Sequence, residues 1–140
     1  MARLFRFMRR GLHGAVLLVI ATACATGPEV PLSPPVDITN LQQLTGEWKG
    51  EVTHALGTNT FWSRTDPVTI VVGPNGSFTS NVRGRQGSGV VTIKDGKFAW
   101  DGSYTRGTGT LHEQGGKPIL RGDGTLVGYY GWCSFQLTRP

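Results

Sequence analysis

With 140 residues, the chain has room for a single domain. Its formal charge of +5 and pI near 9.7 suggest an anionic partner only until the charges are located: Arg3, Arg6, Arg9 and Arg10 all precede an apolar run, and no acid occurs before Glu29. Without residues 1–23, ten basic residues stand against nine acidic ones, so the basic balance belongs to the N-terminus and the composition argues against nucleic acid as a partner.

That N-terminus has the layout of a secretory signal peptide over 1–23: a basic opening, the apolar stretch 14–21, then small residues. The apolar stretch is shorter than the roughly 20 residues a membrane-spanning helix requires. Arg9-Arg10 lacks the surroundings of a twin-arginine signal. The boundary reads Ala21-Thr22-Ala23-Cys24-Ala25. A cysteine directly after small residues resembles the lipobox of bacterial lipoproteins, with Ala21 departing from that family's usual leucine. The resemblance implies that Cys24 becomes the first mature residue and carries a lipid that anchors the protein in a membrane. The absence of Asp after Cys24 implies the outer membrane, with the protein facing the periplasm. The competing reading is ordinary secretion, because Ala21-Thr22-Ala23 also fits an A-x-A cleavage site. Cys133 is the other cysteine of the mature chain. It is expected to be buried and inert, or to pair with Cys24 if that residue carries no lipid.

Residues 24–43 read as a lipidated cysteine and a tether. Four of the eight prolines fall at 28, 31, 34 and 35, where fixed φ and missing N–H groups disfavour helix and central strand. Extended at about 3.1 Å per residue, such a segment reaches some ~50 Å from an anchor. A short helical turn is expected between Asp37 and Leu44, capped by Asp37 or Thr39.

From 44 to 140 the chain alternates short runs rich in Val, Thr, Ile and aromatics with glycine-containing turns, and helical periodicity is absent. Asn75-Gly76, Asp95-Gly96, Gly115-Gly116 and Asp123-Gly124 read as hairpin turns. They delimit strands at 46–55, 58–64, 67–73, 76–83, 88–94, 97–102 and 104–113, then 117–121, 125–138 or both. Val68-Thr69-Ile70 and Val91-Thr92-Ile93 open similar hairpins, which shared turn chemistry explains without a repeat. The expected fold is all-β: an antiparallel up-and-down barrel of about eight strands, whose closure removes unpaired edges. Eight strands leave an interior that side chains fill or that holds one small ligand.

Alternation along the last run places Val127, Tyr129, Gly131, Cys133, Phe135, Leu137 and Arg139 on one face. On the first run, Trp48, Gly50 and Val52 share a face against Glu47, Lys49, Glu51 and Thr53. Gly46-Glu47-Trp48 on the first strand and an arginine ending the last resemble the calycin superfamily of lipocalins and avidin-type barrels. That resemblance implies a structural closure by Gly46, Trp48 and Arg139, in which the guanidinium packs over the indole at one end of the barrel.

Chemistry is sparse. His54 and His112 have no second His or Cys at ligand spacing, so no metal site is expected, and no nucleophile–base grouping points to catalysis. No cofactor is implied, because the run 84–89 is glycine-rich without the order or the following helix of a phosphate cradle. It reads as a hairpin loop carrying Arg83 and Arg85, with Arg64 and Arg106 as possible neighbours. Tyr130 and Trp132 fall on the outer face and make a candidate contact patch with those arginines. Phe78, Phe98, Trp100 and Tyr129 are candidate ligand-binding wall residues if the barrel is hollow, and simple core if it is filled. The function expected is a non-catalytic envelope barrel binding a small apolar ligand. The alternative is a module for contact with an envelope protein, or an inhibitor of an envelope enzyme, acting through the rim loops.

Overall fold

The structure, a computed structural model, describes residues 31–57 and 63–140. Cys24, the signal segment and the first five residues of the expected 58–64 strand lie outside the described residues.

Eight strands run up and down: β1 Gly46–Leu56, β2 Ser63–Val72, β3 Ser77–Val82, β4 Arg85–Lys94, β5 Lys97–Gly102, β6 Thr105–Gln114, β7 Lys117–Leu126 and β8 Gly131–Thr138. Each pairs antiparallel with its sequence neighbours, and β8 returns to β1, so the sheet is a closed barrel. The closing register, from Lys49 opposite Thr138 to Leu56 opposite Gly131, aligns the apolar face of the first strand with that of the last. A slip of one residue would turn Trp48, Cys133 and Leu137 towards water.

Three boundaries differ from those read off the turn residues. Residues expected as two strands, 58–64 and 67–73, meet in β2, which continues through Pro67. Pairing with β3 begins only at Val68 opposite Val82, so at Pro67 the strand has one partner, a position that tolerates a missing amide. Asp123-Gly124 is no turn. It lies within β7, and the reversal comes at 127–130, where Gly128 has φ +77°. The loop expected over 84–89 is a turn at Arg83-Gly84 followed directly by β4.

The inner wall explains why glycine is so abundant inside strands. Pairing sets Phe98 opposite Gly109, Gly109 opposite Gly122 and Gly122 opposite Phe135. The next row towards the other end runs Trp100, Gly107, Gly124, Cys133. Aromatic rings on β5 and β8 thus lean across bare backbone on β6 and β7. A methyl group at Gly122 would lie 2.5 Å from the Phe135 ring, and one at Gly124 would lie 2.8 Å from Trp100. The three rings meet at 5.0 Å between the centroids of Trp100 and Phe135, and 6.0 Å between those of Phe98 and Trp100. Offset and tilted contacts of this kind suit the aromatic quadrupole.

One end of the barrel is shut. Trp48 is wholly buried, and its indole N–H donates to the Leu44 carbonyl at 2.7 Å. The Arg139 guanidinium lies 4.7 Å above the Trp48 ring and donates to the carbonyls of Gln43 and Thr45. The segment expected to stand off as tether is bound to this end from Ser33 onward. Val36 N–H donates to the Leu111 carbonyl, Ile38 N–H donates to the Gly96 carbonyl, and Ile38 and Leu44 are buried in the core. The expected helical turn is a single 3-10 turn, Leu41–Gln43, capped by Asn40 rather than Asp37 or Thr39. The Gln43 side chain gathers the backbone before it, accepting from Thr39 N–H and donating to the Asp37 carbonyl.

Candidate functional site

Above this plug the barrel is not filled. A cavity of about 120 Å³ extends from Leu44 and Leu137 near the shut end towards Tyr104 and Thr105 at the other. Its wall is mainly aliphatic on β1–β4, with Val52, Val68, Ile70, Val82 and Val91 beside the single ring of Phe78, and mainly aromatic on β5 and β8. The cavity persists because the two sides are built differently. β5 to β8 pair large rings with glycines, whereas β2 presents the medium-sized Val68, Ile70 and Val72, and the one ring of β3, Phe78, leans over Gly89 and Gly102. Polar groups on the wall are few: the Ser80 hydroxyl, and Thr105, whose Oγ1 accepts from the Trp100 indole N–H at 3.1 Å.

Phe78, Phe98 and Trp100 line this cavity, as wall residues of a hollow barrel must. Tyr129 does not. β8 starts at Gly131, six residues later than the expected run 125–138, so Tyr129 sits in the β7–β8 turn at 73% exposure. Tyr130 is equally exposed in that turn, and Trp132 is half-buried on β8. Tyr104 joins them in the exposed aromatic rim, held by Val127 N–H donating to its carbonyl. Gly46, with φ +119°, lets the chain turn from the plug into β1.

The open end carries a polar cluster that sequence reasoning missed. Asp66 shares the inner face of β2 with Val68, Ile70 and Val72, and is 3% exposed. It sits directly opposite Val52, one step nearer the mouth than Val68. Its Oδ1 accepts from Arg64 Nε at 3.1 Å and is ion-paired with Arg83 Nε, while His54 Nε2 lies 4.0 Å from Oδ2. A carboxylate on an inner face is tolerated only when paired and hydrogen-bonded, and two guanidinium groups meet that condition here. The signal was present in the alternation: an acid at a position whose parity is otherwise valine and isoleucine. Arg85 opens β4 opposite Val82, on the same rim. Arg106 is elsewhere, 3.7 Å from Asp101.

Cys133 ends the inner row of Trp100, Gly107 and Gly124 and is 2% exposed with a free thiol. Burial pushes the thiol up to about 11, and the nearby Asp123 charge adds to the rise, against the lowering pull of Thr105 and the Gly124 backbone. At neutral pH it is a protonated, poorly nucleophilic wall group. His112, on the outer face of β6, is tied on both ring nitrogens: Nδ1 lies 2.7 Å from the Ser33 carbonyl, and Nε2 lies 2.8 Å from Thr110 Oγ1. Its role is to fasten the N-terminal segment.

Comparison with protein families, curated proteins and solved structures finds no match to this chain.

Proposed function

We propose that the protein is a calycin-like, non-catalytic carrier or sensor of a small apolar molecule held inside the barrel. The observation that supports this reading is the 120 Å³ apolar cavity between the plug at Trp48 and the rim at Tyr104. A residual volume of this size is costly to keep. Cavity-forming substitutions in packed cores lose about 24 cal/mol per Å³, or about 3 kcal/mol for this volume. Filling it would take only larger residues at Val68 or Val82, so an occupant is a sufficient reason for the small ones. A dry cavity of roughly 150 Å³ accepts benzene, which sets the scale of ligand this one takes.

Toluene titration followed by methyl NMR tests the reading. Saturable shifts are expected at Val52, Val68 and Val82, lost in a folded Val68→Phe variant that fills the space. Shifts that are absent, or that persist in the filled variant, would sink it.

Envelope anchoring through Cys24 belongs to the same proposal and rests on the Ala-Cys boundary of the N-terminus. Cys24→Ser is expected to abolish metabolic lipid labelling and release the protein from membranes, and unchanged labelling would refute it. The second reading, contact with an envelope protein through the rim, is favoured by Tyr129 and Tyr130, which project at 73% and 76% exposure beside no covering element among the described residues.

A further inference from the structure

The open end differs from an ordinary polar rim in how its charges are placed. Asp66 is buried on the inner wall, yet the two arginines bound to it are each more than half exposed. Both use Nε on the same oxygen, Oδ1. This leaves the Nη edges of Arg64 and Arg83 with no carboxylate partner among the described residues. One negative charge thus organises two positive ones, and Arg85 adds a third cation on the adjoining strand. The cluster lies over the aliphatic side of the cavity, because Asp66 pairs with Val52, and the next inner pair below it is Val68 with Val82.

Arg83 carries a second mark. It occupies the first central position of the β3–β4 hairpin turn with φ +51°, followed by Gly84 at φ +80°. Such turns strongly prefer Asn, Asp or Gly there, since a longer L-residue is disfavoured at positive φ. The comparable β4–β5 turn obeys the preference with Asp95-Gly96, and the β6–β7 turn with Gly115-Gly116. Gly84 N–H already donates to Asn81 Oδ1 at 2.8 Å, so the turn is held without any contribution from the Arg83 side chain. An unfavourable backbone conformation retained for the sake of a side chain points to what that side chain does. Here it reaches back over the mouth to Asp66.

We propose that the ligand of this barrel is an amphiphile with a carboxylate head, its single ring or short alkyl chain in the cavity and its head held by the Nη groups of Arg64 and Arg83. Asp66 is the positioning residue: it orients both guanidinium groups through Nε and presents their remaining N–H donors outward. Two planar forks suit a carboxylate, which accepts bidentate hydrogen bonds from guanidinium. The site retains net positive charge after Asp66 is counted, so a neutral head gains less and a cationic head is repelled. This proposal rests on the cavity reading above, and its test separates the two.

Three probes share one phenyl ring and one three-carbon chain: 3-phenylpropanoate, 3-phenylpropan-1-ol and 3-phenylpropan-1-amine in its protonated form. Calorimetric or NMR titration of the full chain at pH 7 is expected to give roughly tenfold tighter binding for the carboxylate than for the alcohol, with the ammonium weakest, as one charge-assisted contact at a solvated mouth implies. The preference is expected to shrink several-fold in about 1 M salt, where the screening length falls to about 3 Å. In Arg64→Gln/Arg83→Gln it is expected to vanish while alcohol affinity is kept. The salt series on the unmodified chain decides the matter even if that variant misfolds. Equal affinity for carboxylate and alcohol, or a preference indifferent to salt and to the double substitution, overturns the head-group assignment and leaves the cavity reading standing. Failure of all three probes to bind overturns both.

Discussion

The two ends of the barrel are built on opposite plans. At the shut end, the two polar groups of the plug have fixed backbone partners: the Trp48 indole N–H on Leu44, and the Arg139 guanidinium on Gln43 and Thr45. At the open end, Arg64 and Arg83 are fastened by one edge only, to a single carboxylate oxygen, and Tyr104, Tyr129 and Tyr130 stand in water. A cation that completes a structure is enclosed by acceptors. A cation that waits for a ligand is held in place but left unsaturated. Arg139 is of the first kind and Arg83 of the second, although both lie at the edge of the same sheet.

The sharpest way to break this contrast is to compare large deletions at the two ends. Trp48→Ala removes the plug and is expected to cost about 3–5 kcal/mol in urea denaturation, as buried tryptophans do. Arg83→Ala is expected to cost no more than about 1 kcal/mol, because its guanidinium is largely solvated and Arg64 remains on Asp66. Comparable losses at both ends would erase the distinction. Ile38→Ala asks whether the N-terminal segment belongs to the shut end. The loss expected is about 2–5 kcal/mol, and a change under about 0.5 kcal/mol would make that segment a mere neighbour.

How much of this was visible in the residues alone depends on which physical signal each feature leaves. The barrel and its register were legible because alternation is a strict period of two, and β8 obeys it through Cys133, Phe135 and Leu137. The same parity turned Trp48 and Arg139 to the inner face, and the calycin resemblance implied their stacking. Glycine misled, because one residue type serves two purposes. At Gly96 and Gly116 it permits positive φ in a turn, whereas at Gly89, Gly122 and Gly124 it makes room for a ring from another strand. Reading the second kind as the first produced a turn at Asp123-Gly124 and a loop at 84–89. Tyr129 was lost for a related reason, since alternation cannot say where a strand begins. Proline at 34 and 35 suggested a free tether, yet three apolar residues, Ile38, Leu41 and Leu44, with the Val36 backbone hydrogen bond, suffice to bind the segment that follows.

Alkaline titration sharpens the comparison between wall and rim. Cys133 has a folded pKa of about 11 against 9.0 for a free thiol. A raised value means the folded state retains a proton that the unfolded chain has released. The stabilisation is therefore complete below pH 9 and is lost as pH rises towards 11, at about 1.4 kcal/mol per unit of difference. Chemical denaturation at pH 8, 9.5 and 11 should show a decline of about 2–3 kcal/mol in the native chain beyond that of Cys133→Ala. Parallel curves for the two would place the thiol in contact with water. A smaller effect than that of the thiol is expected for Arg139→Ala, at about 1–2 kcal/mol for a cation over an indole with backbone hydrogen bonds. Arg139→Lys should recover part of it, whereas no difference from Ala would mean that only the aliphatic stem matters.

The most direct measurement of the central claim is a crystal structure of the folded chain under xenon pressure, since xenon occupies apolar cavities without needing any head group. The account predicts a xenon atom inside the barrel among Val52, Val68, Val82 and the Phe98–Trp100–Phe135 rings, and none there in Val68→Phe. A native barrel whose interior stays free of xenon, with side chains closed over the space, would contradict it.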